Sequence, residues 1–369
     1  MKAGWKAGQI GAVCTVIAGQ SPKGSAYNDQ GVGLPFYQGK KEFRDRHIGP
    51  PTTWTSVVTK EGEAGDILIS VRAPVGPINE ATQRICIGRG LAAIRAKGGL
   101  DRDFLWYALL WLQPKIKGSA GAVFDSINKA GIESLTIPLP PLEEQQRIVA
   151  VLDEAFEGLA RARAHAEANL QNARELFESY LFTVFSEGNW PEKTLNQISE
   201  NLDRVRVPIT KSNRVAGDIP YYGASGVVDH VADFLFDEDL LLISEDGANL
   251  LARTYPIAFS ISGKAWVNNH AHVLRFPDLD TQEFVRLYLN SISLEPYVSG
   301  MAQPKLNQAQ LNRIPIPFPD SADRTEIVAK AELLAAETED LQRRFEATLQ
   351  DLDDLRQSLL QTAFAGELT

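Results

Sequence analysis

The sequence predicts an α+β chain. Two similar α/β domains are separated by a pair of long helices that form an antiparallel coiled coil with a pseudo two-fold axis. Three observations predict this. Residues 137–185 and 316–364 correspond without a gap at a constant offset of 179, and each runs from a strand exit with two spaced prolines (Pro138 and Pro140, Pro317 and Pro319) into a long charged helix. The stretches ahead of these junctions share an ordered series of short matches, starting at an offset of 185. Apolar residues of both long segments recur at alternating spacings of four and three, the pattern of a coiled-coil seam.

Taken in order, Gln9–Ala18 is apolar and β-branched, fitting a strand or a short helix–strand join. Residues 19–33 read as a polar Gly/Pro/Asn loop. Leu34–Gln38 is a short aromatic strand, followed by a basic run at Lys40, Lys41, Arg44 and Arg46. Strands are expected at 66–72, 84–87 and 90–95. Asp101 caps a helix over 101–112. A loop and turn over 122–135 lead to the strand 135–139.

The second half repeats this order. Trp190, Leu195 and Ile198 match Trp5, Ile10 and Val13, and residues 219–222 match 34–37. Residues 239–244 resemble 66–70, 273–275 match 93–95, and a helix at 284–289 matches 104–109. The loops differ freely, as expected of one scaffold carrying two sets of loops. The expected domains are 1–137 and 189–316, with helical segments 138–188 and 317–369.

The seam of the first helix runs through Ile148, Leu152, Ala155, Leu159, Ala162, Ala166, Asn169, Ala173, Leu176, Tyr180 and Thr183. Adding 179 gives Ile327, Ala331, Leu334, Thr338, Leu341, Phe345, Thr348, Leu352, Leu355, Leu359 and Thr362. Small residues at the centre of one seam face large ones in the other, so the helices are expected to pack together. The second domain starts at the far end of the first helix, so its own helix must run back. A helix of about 44 residues spans roughly 66 Å, the length of roughly 19 base pairs of DNA.

Charge is unevenly divided. The net charge of the chain is −10, yet residues 1–135 carry 17 basic against 11 acidic residues, a net of +6. Residues 189–315 are at −4, and the helical segments 136–188 and 316–369 at −5 and −7. The acidity thus belongs mainly to the helices, as a solvated or partner-facing surface. Two cysteines, Cys14 and Cys86, make neither a disulfide framework nor a zinc spacing, and fit a reducing cytoplasm. Neither a signal peptide nor a membrane span is expected.

Motifs for catalysis are missing: no Walker A loop, no GxGxxG after a strand, no GxSxG or HExxH, and no Asn/Asp-Pro-Pro-aromatic motif of amino-methyltransferases. Residues 223–226 read as a turn. His270 and His272 share a strand face but lack further metal ligands, which points to a structural or DNA-facing role. Asp237, Glu238 and Asp239 are consecutive and splay apart, which argues against a nuclease. Recognition remains. In the first domain Lys23, Lys40, Lys41, Arg44, Arg46, Arg72 and Arg89 are the candidate DNA contacts. In the second they are Arg204, Arg206, Lys211, Arg214, Lys264 and Lys305, with Asn268, Asn269, Gln303 and Asn307 as candidate base readers. Long cationic side chains reach phosphates, and Arg or Asn reads base edges. The alternative is a scaffold whose globular ends bind proteins.

Two weakly similar halves, each with a proline-rich junction into a long helix, and the ending Ala363-Phe364-Ala365-Gly366-Glu367-Leu368 resemble the specificity subunit of type I restriction–modification systems. The resemblance covers the full length and is strongest at the junctions. It implies two target-recognition domains, each reading one half of a split site in double-stranded DNA, and no catalysis by this chain. It further implies that the helices dock two modification (methyltransferase) subunits that bring S-adenosylmethionine. Restriction subunits would then join with ATP and Mg. The second junction departs from the first: Asp-Ser-Ala-Asp-Arg-Thr-Glu at 320–326 stands where Pro-Leu-Glu-Glu-Gln-Gln-Arg stands at 141–147.

Overall fold

A computed structural model describes residues 2, 4–116, 126–300 and 303–368. The chain divides into two units, residues 1–166 with 348–369 and residues 167–347.

In the first unit the apolar run Ile67–Ser70 is buried on both faces, which makes it a central strand. It lies between Leu91–Ala96 and Ile78–Glu80, and Cys14–Ala18 completes a four-stranded antiparallel sheet. A second sheet orders Tyr27–Asn28, Trp54–Thr55, Leu34–Tyr37, Ile85–Ile87 and Glu61–Gly62. Its Leu34–Tyr37 and Ile85–Ile87 strands are parallel, with Phe36 opposite Cys86 and Tyr37 opposite Ile87. Lys6–Gln9 pairs with Thr136–Leu139 at the helix junction.

The helix Arg102–Ile116 starts as expected. The Asp101 carboxylate accepts the amides of Asp103 and Phe104 at 2.9 and 3.0 Å. Phe104 to Leu109 are all buried, because this helix is sunk between the sheet and the ends of both long helices. The expected loop at 122–135 is corrected in part. Residues 129–133 form a helical turn, with the Asn128 side chain accepting the Gly131 amide at 2.8 Å. Residues 122–125 lie outside the described residues. The 19–33 segment is a loop, but one that holds a 3₁₀ turn at Gly24–Ala26 and the short strand Tyr27–Asn28.

The second unit repeats the plan. Leu240–Ser244, fully buried, lies between Ala271–Arg275 and Ala258–Ile261, with Glu200–Asn201 at the far edge. The second sheet orders Gly226–Val231, Ile219–Gly223, Lys264–Val267 and Phe236–Asp237. Its parallel pair places Tyr221 opposite Trp266 and Tyr222 opposite Val267, the counterpart of the parallel pair in the first unit. The helix Leu279–Ser291 is capped by Asp278, which accepts the Thr281 amide at 2.7 Å. Residues 223–226 form the tight turn of a hairpin, as expected.

The long helices are Leu142–Glu187 and Ser321–Ala365, and they start at equivalent repeat positions. In the first unit Arg163 pairs with Asp353 at 2.6 Å, Arg356 lies over the Phe156 ring, and Ile148 and Leu152 share a core with Leu360 and Ala363. Rising numbers meet falling ones, so the helices run antiparallel there. In the second unit Arg174 pairs with Glu346 at 3.3 Å, Lys330 lies over Tyr180, and Leu181 shares a core with Val328 and Ala331. That pairing is antiparallel as well.

The seam needs one correction, which is the same in both helices. Ala162, Asn169 and Leu176 are exposed, while their successors Arg163, Leu170 and Phe177 turn inward. Leu341, Thr348 and Leu355 are likewise exposed, with Gln342 and Leu349 turned inward. A helix of 3.6 residues per turn drifts by about 20° per heptad against a strict 3.5 repeat, so one row of the seam moves on by one residue. The other row, with Ala166, Ala173 and Tyr180 in the first helix and Phe345 and Leu352 in the second, stays inward as expected.

The junctions, unlike in sequence, make the same bond. Gln145 Nε2 donates to the Pro140 carbonyl at 2.9 Å, and Arg324 donates to the Pro319 carbonyl at 2.6 Å. Both donors are buried in the first turn of their helix, and each closes the proline-rich bend that turns the chain from strand into helix. Gln145 also donates to the Gly99 carbonyl and accepts the Asp101 amide. Arg324 instead stacks on Phe318.

Candidate nucleic-acid interface

In the first unit the loops at one end of the two sheets enclose a groove of about 1010 Å³. Lys40, Lys41 and Arg89 line it together with one carboxylate, Glu42, and with Gln38, Ser21 and Thr53 as neutral polar groups. Its floor includes Tyr27 and Phe36, stacked with ring centroids 4.7 Å apart. Gly19 and Arg89 also line a second cavity of about 450 Å³, to which Arg72 and Lys129 contribute. Five cations therefore follow a continuous concave surface, a footprint suited to a polyanion. Four of them were candidates from sequence. Lys129 was not, because it sits on the unexpected helical turn. Its signal is the Asn128–Lys129 pair, which corresponds to Asn307–Gln308 at the 179 offset. Lys23 and Arg44 are exposed on neighbouring loops.

Arg46 is placed elsewhere. Its guanidinium bonds Glu80 at 3.1 Å and Asp103, and lies over the Trp106 ring. Burial would lower its pKa, but the two carboxylates raise it overall. Arg46 thus ties a loop to the core helix.

In the second unit the candidates separate into two groups. Arg206 is largely buried and donates to Glu245 and to the Ala271 carbonyl, both at 2.7 Å. His272, 1% exposed, stands between Asp203 at 2.6 Å from Nδ1 and the Leu306 carbonyl at 2.8 Å from Nε2. Lys305 closes this network on Glu245 at 3.1 Å. Burial would raise the Asp203 and Glu245 carboxyl pKa values, yet His272 and Arg206, with the Val273 amide on Asp203 and Lys305 on Glu245, hold both below the usual range. Arg214 bonds Asp229 at 2.7 Å and lies over Tyr221. The Asn268 side chain accepts the His270 amide, and Asn307 caps a helical turn by accepting the Gln310 amide. Arg206, Arg214, Asn268 and Asn307 are therefore engaged within the fold. Arg204, Lys211, Lys264, Asn269 and Gln303 are exposed.

One position is shared by the two units. Arg89 and Asn269 both occupy the exposed turn that enters the central antiparallel strand, Leu91–Ala96 in one case and Ala271–Arg275 in the other. The residue before each turn donates its amide to an equivalent carbonyl: Gly88 to Tyr37 at 2.8 Å, Asn268 to Tyr222 at 3.1 Å. The walls around this turn differ. The Arg72 backbone pairs with that of Ser126 in the first unit, while the Asp246 backbone pairs with that of Lys305 in the second. No helix among the described residues is long and apolar enough to cross a membrane.

Comparison with known proteins agrees with this arrangement. A family model described as "Type I restriction modification DNA specificity domain" matches twice, at residues 2–165 and 187–349. The Methanocaldococcus jannaschii protein described as "Putative type I restriction enzyme MjaX specificity subunit" is 43% identical over 170 residues, covering 46% of this chain and 40% of that relative. The match thus spans well under half of the relative's length. Among solved structures, one described as "Structural basis underlying complex assembly and conformational transition of the type I R-M system" covers 100% of this chain and 99% of its own, with a TM-score of 0.80 at 18% identity. The HsdS subunit from Thermoanaerobacter tengcongensis covers 100% and 98%, with a TM-score of 0.62 at 20% identity. At such identities these likenesses show the fold, two repeated α/β domains with long helices. With both halves matched by the same model, the chain belongs to the type I restriction modification DNA specificity domain family.

Proposed function

We propose that this chain is the non-catalytic DNA sequence-specificity subunit of a type I restriction–modification complex. Each α/β domain, 1–137 and 189–316, reads one half of a bipartite site in double-stranded DNA. The helices of 138–188 and 317–369 set the spacing between the halves and dock two modification subunits. Methyl transfer then belongs to those subunits with S-adenosylmethionine, and restriction subunits act with ATP and Mg. The cytoplasm is the compartment that this role requires.

The observation that carries the reading is the repeated scaffold with unlike exposed side chains on equivalent loops. A cationic groove and an exposed arginine stand in the first unit, and an exposed asparagine and amide-rich loops in the second. Phosphate contacts position a protein on DNA and base-edge contacts specify. A scaffold used twice with different reading groups is what a split, asymmetric site demands. The first unit is expected to supply most of the phosphate grip, since its segment carries the net positive charge.

The test is DNA binding by the chain assembled with its modification subunits, titrated against salt. The reading predicts sequence-selective binding that weakens steeply with salt through counterion release. Binding without sequence preference, or none, would favour the protein-binding scaffold instead.

A further inference from the structure

Resting on that reading, we propose that the turn residue shared by the two units is a base-reading position. Arg89 reads a guanine in one half-site and Asn269 reads an adenine in the other. The two turns share two backbone bonds, Gly88 to Tyr37 with Asn268 to Tyr222 and Val71 to Gly90 with Glu245 to His270, and each adds its own. In the first unit the backbone is pinned on both sides of Arg89: Gly88 donates to Tyr37, Gly90 donates to the Gln38 carbonyl at 3.1 Å, and the Arg89 amide itself donates to Ser21 Oγ at 3.1 Å. Gly90 admits no side chain, since a Cβ there would lie 2.5 Å from the Gln38 carbonyl oxygen. In the second unit Asn268 donates to Tyr222, its side chain accepts the His270 amide at 2.8 Å, and the His270 carbonyl accepts the Glu245 amide at 2.9 Å.

The backbone of each turn is thus held while the side chain at its tip is exposed. Among the described residues, neither the Arg89 guanidinium nor the Asn269 amide has a hydrogen-bond partner, whereas Arg46, Arg206, Arg214 and Asn268 are all engaged. A polar group on a rigid mount with its bonding capacity unspent is pre-organised to bind. The chemistry of the two groups sets the base. A guanidinium donates two parallel bonds to O6 and N7 of guanine, and a carboxamide pairs with N6 and N7 of adenine. Arg89 also stands where the two cavities of its unit meet, so the cations of the groove can hold phosphates on either side of the base it contacts.

The experiment uses the full chain assembled with its modification subunits and selects bound duplexes from a randomised pool. Wild-type chain is compared with Arg89→Asn, Arg89→Lys, Asn269→Arg and Asn269→Ala, each checked by thermal melting. The expected result for Arg89→Asn is a loss of roughly tenfold or more in preference for one G·C pair in one half-site, with gain of A·T there and no change in the other half. Asn269→Arg should show the converse in the other half-site, and Asn269→Ala should relax one A·T pair. Weakening that is uniform across sequences, accompanied by a smaller salt slope, would overturn the assignment and make Arg89 a phosphate contact. Unaltered selection by melting-competent variants would overturn it too. Failure of the underlying reading is distinct: the wild-type complex itself would then select no motif. If Arg89→Asn melts early, Arg89→Lys carries the test. It keeps the charge but loses the planar fork, so it should relax the same base pair while retaining the salt slope.

Discussion

Phe364, in the last turn of the second long helix, packs its ring 5.3 Å from that of Phe104 in the core helix of the first unit. The repeat makes the same contact in the other direction. Phe185, near the end of the first long helix, meets Phe284 of the second unit at 5.4 Å. Each unit is therefore sealed by the end of the helix that does not begin from its own sheets. Phe104 and Phe364 are fully buried, so Phe364→Ala is expected to cost about 3–5 kcal/mol. Hydrogen exchange read during urea denaturation should locate the loss in strands 67–70 and 91–96. Phe185→Ala should instead loosen strands 240–244 and 271–275. Protection lost from the same strands in both variants would contradict this crossed arrangement.

The junction bonds predict a second effect. The buried Gln145 side chain satisfies three backbone groups, the buried Pro140 carbonyl and the partly buried groups of Gly99 and Asp101. Gln145→Ala should destabilise the first unit by about 1–3 kcal/mol, because a buried group left unpaired carries its desolvation cost. Arg324→Gln should be milder, since a glutamine makes the equivalent bond at the same place in the repeat. Equal losses from both substitutions in chemical denaturation would show that the two junctions are not interchangeable.

Acid should act on the second unit through Asp203 and Glu245. Both carboxyls have folded-state pKa values below their unfolded ones. Their contribution is then complete above the ordinary carboxylate range, about pH 4, and is lost as pH falls through the depressed folded values. Stability of the second unit should fall on acidification below about pH 4. Asp203→Asn should lower stability at neutral pH and flatten this acid limb in circular dichroism. An unchanged acid limb in that variant would remove the Asp203–His272 pair as its cause.

Much of this was legible in the sequence, for reasons that differ by element. Buried strands such as 67–70 and 240–244 are continuous apolar runs, and their order recurs. The helix at Arg102 was marked by its capping aspartate. The seam was legible along one row, where Ala166, Ala173 and Tyr180 stay inward as expected. It was not legible along the other, because a heptad template cannot register the slow drift that brings Leu170 in for Asn169. The interface was legible as residue types and not as partners. Arg46, Arg206 and Arg214 read from sequence like Arg72 and Arg89. Only folding brings Asp103, Glu245 and Asp229 against the first three and leaves the other two exposed. His272 likewise read as a strand residue, while Asp203, 69 positions away, decides its role.

Domain exchange tests the division of labour. Replacing residues 1–135 with the counterpart of a relative should change one half of the recognised site and leave the other half and the spacer unchanged. The readout is the motif selected from randomised duplexes. Changes in both halves would mean that the two domains do not read independently.

The central claim is that two separate readers are held at a set distance by the paired helices. It is tested most directly by removing one heptad at matched places, residues 166–172 and 345–351, and mapping the methylated motif across the host genome. Seven residues shorten a helix by about 10 Å, roughly three base pairs of DNA. The account predicts a split motif for the wild type, and for the shortened chain the same two half-sites with a spacer about three base pairs shorter. An uninterrupted wild-type motif, or altered half-sites at an unaltered spacing, would contradict it.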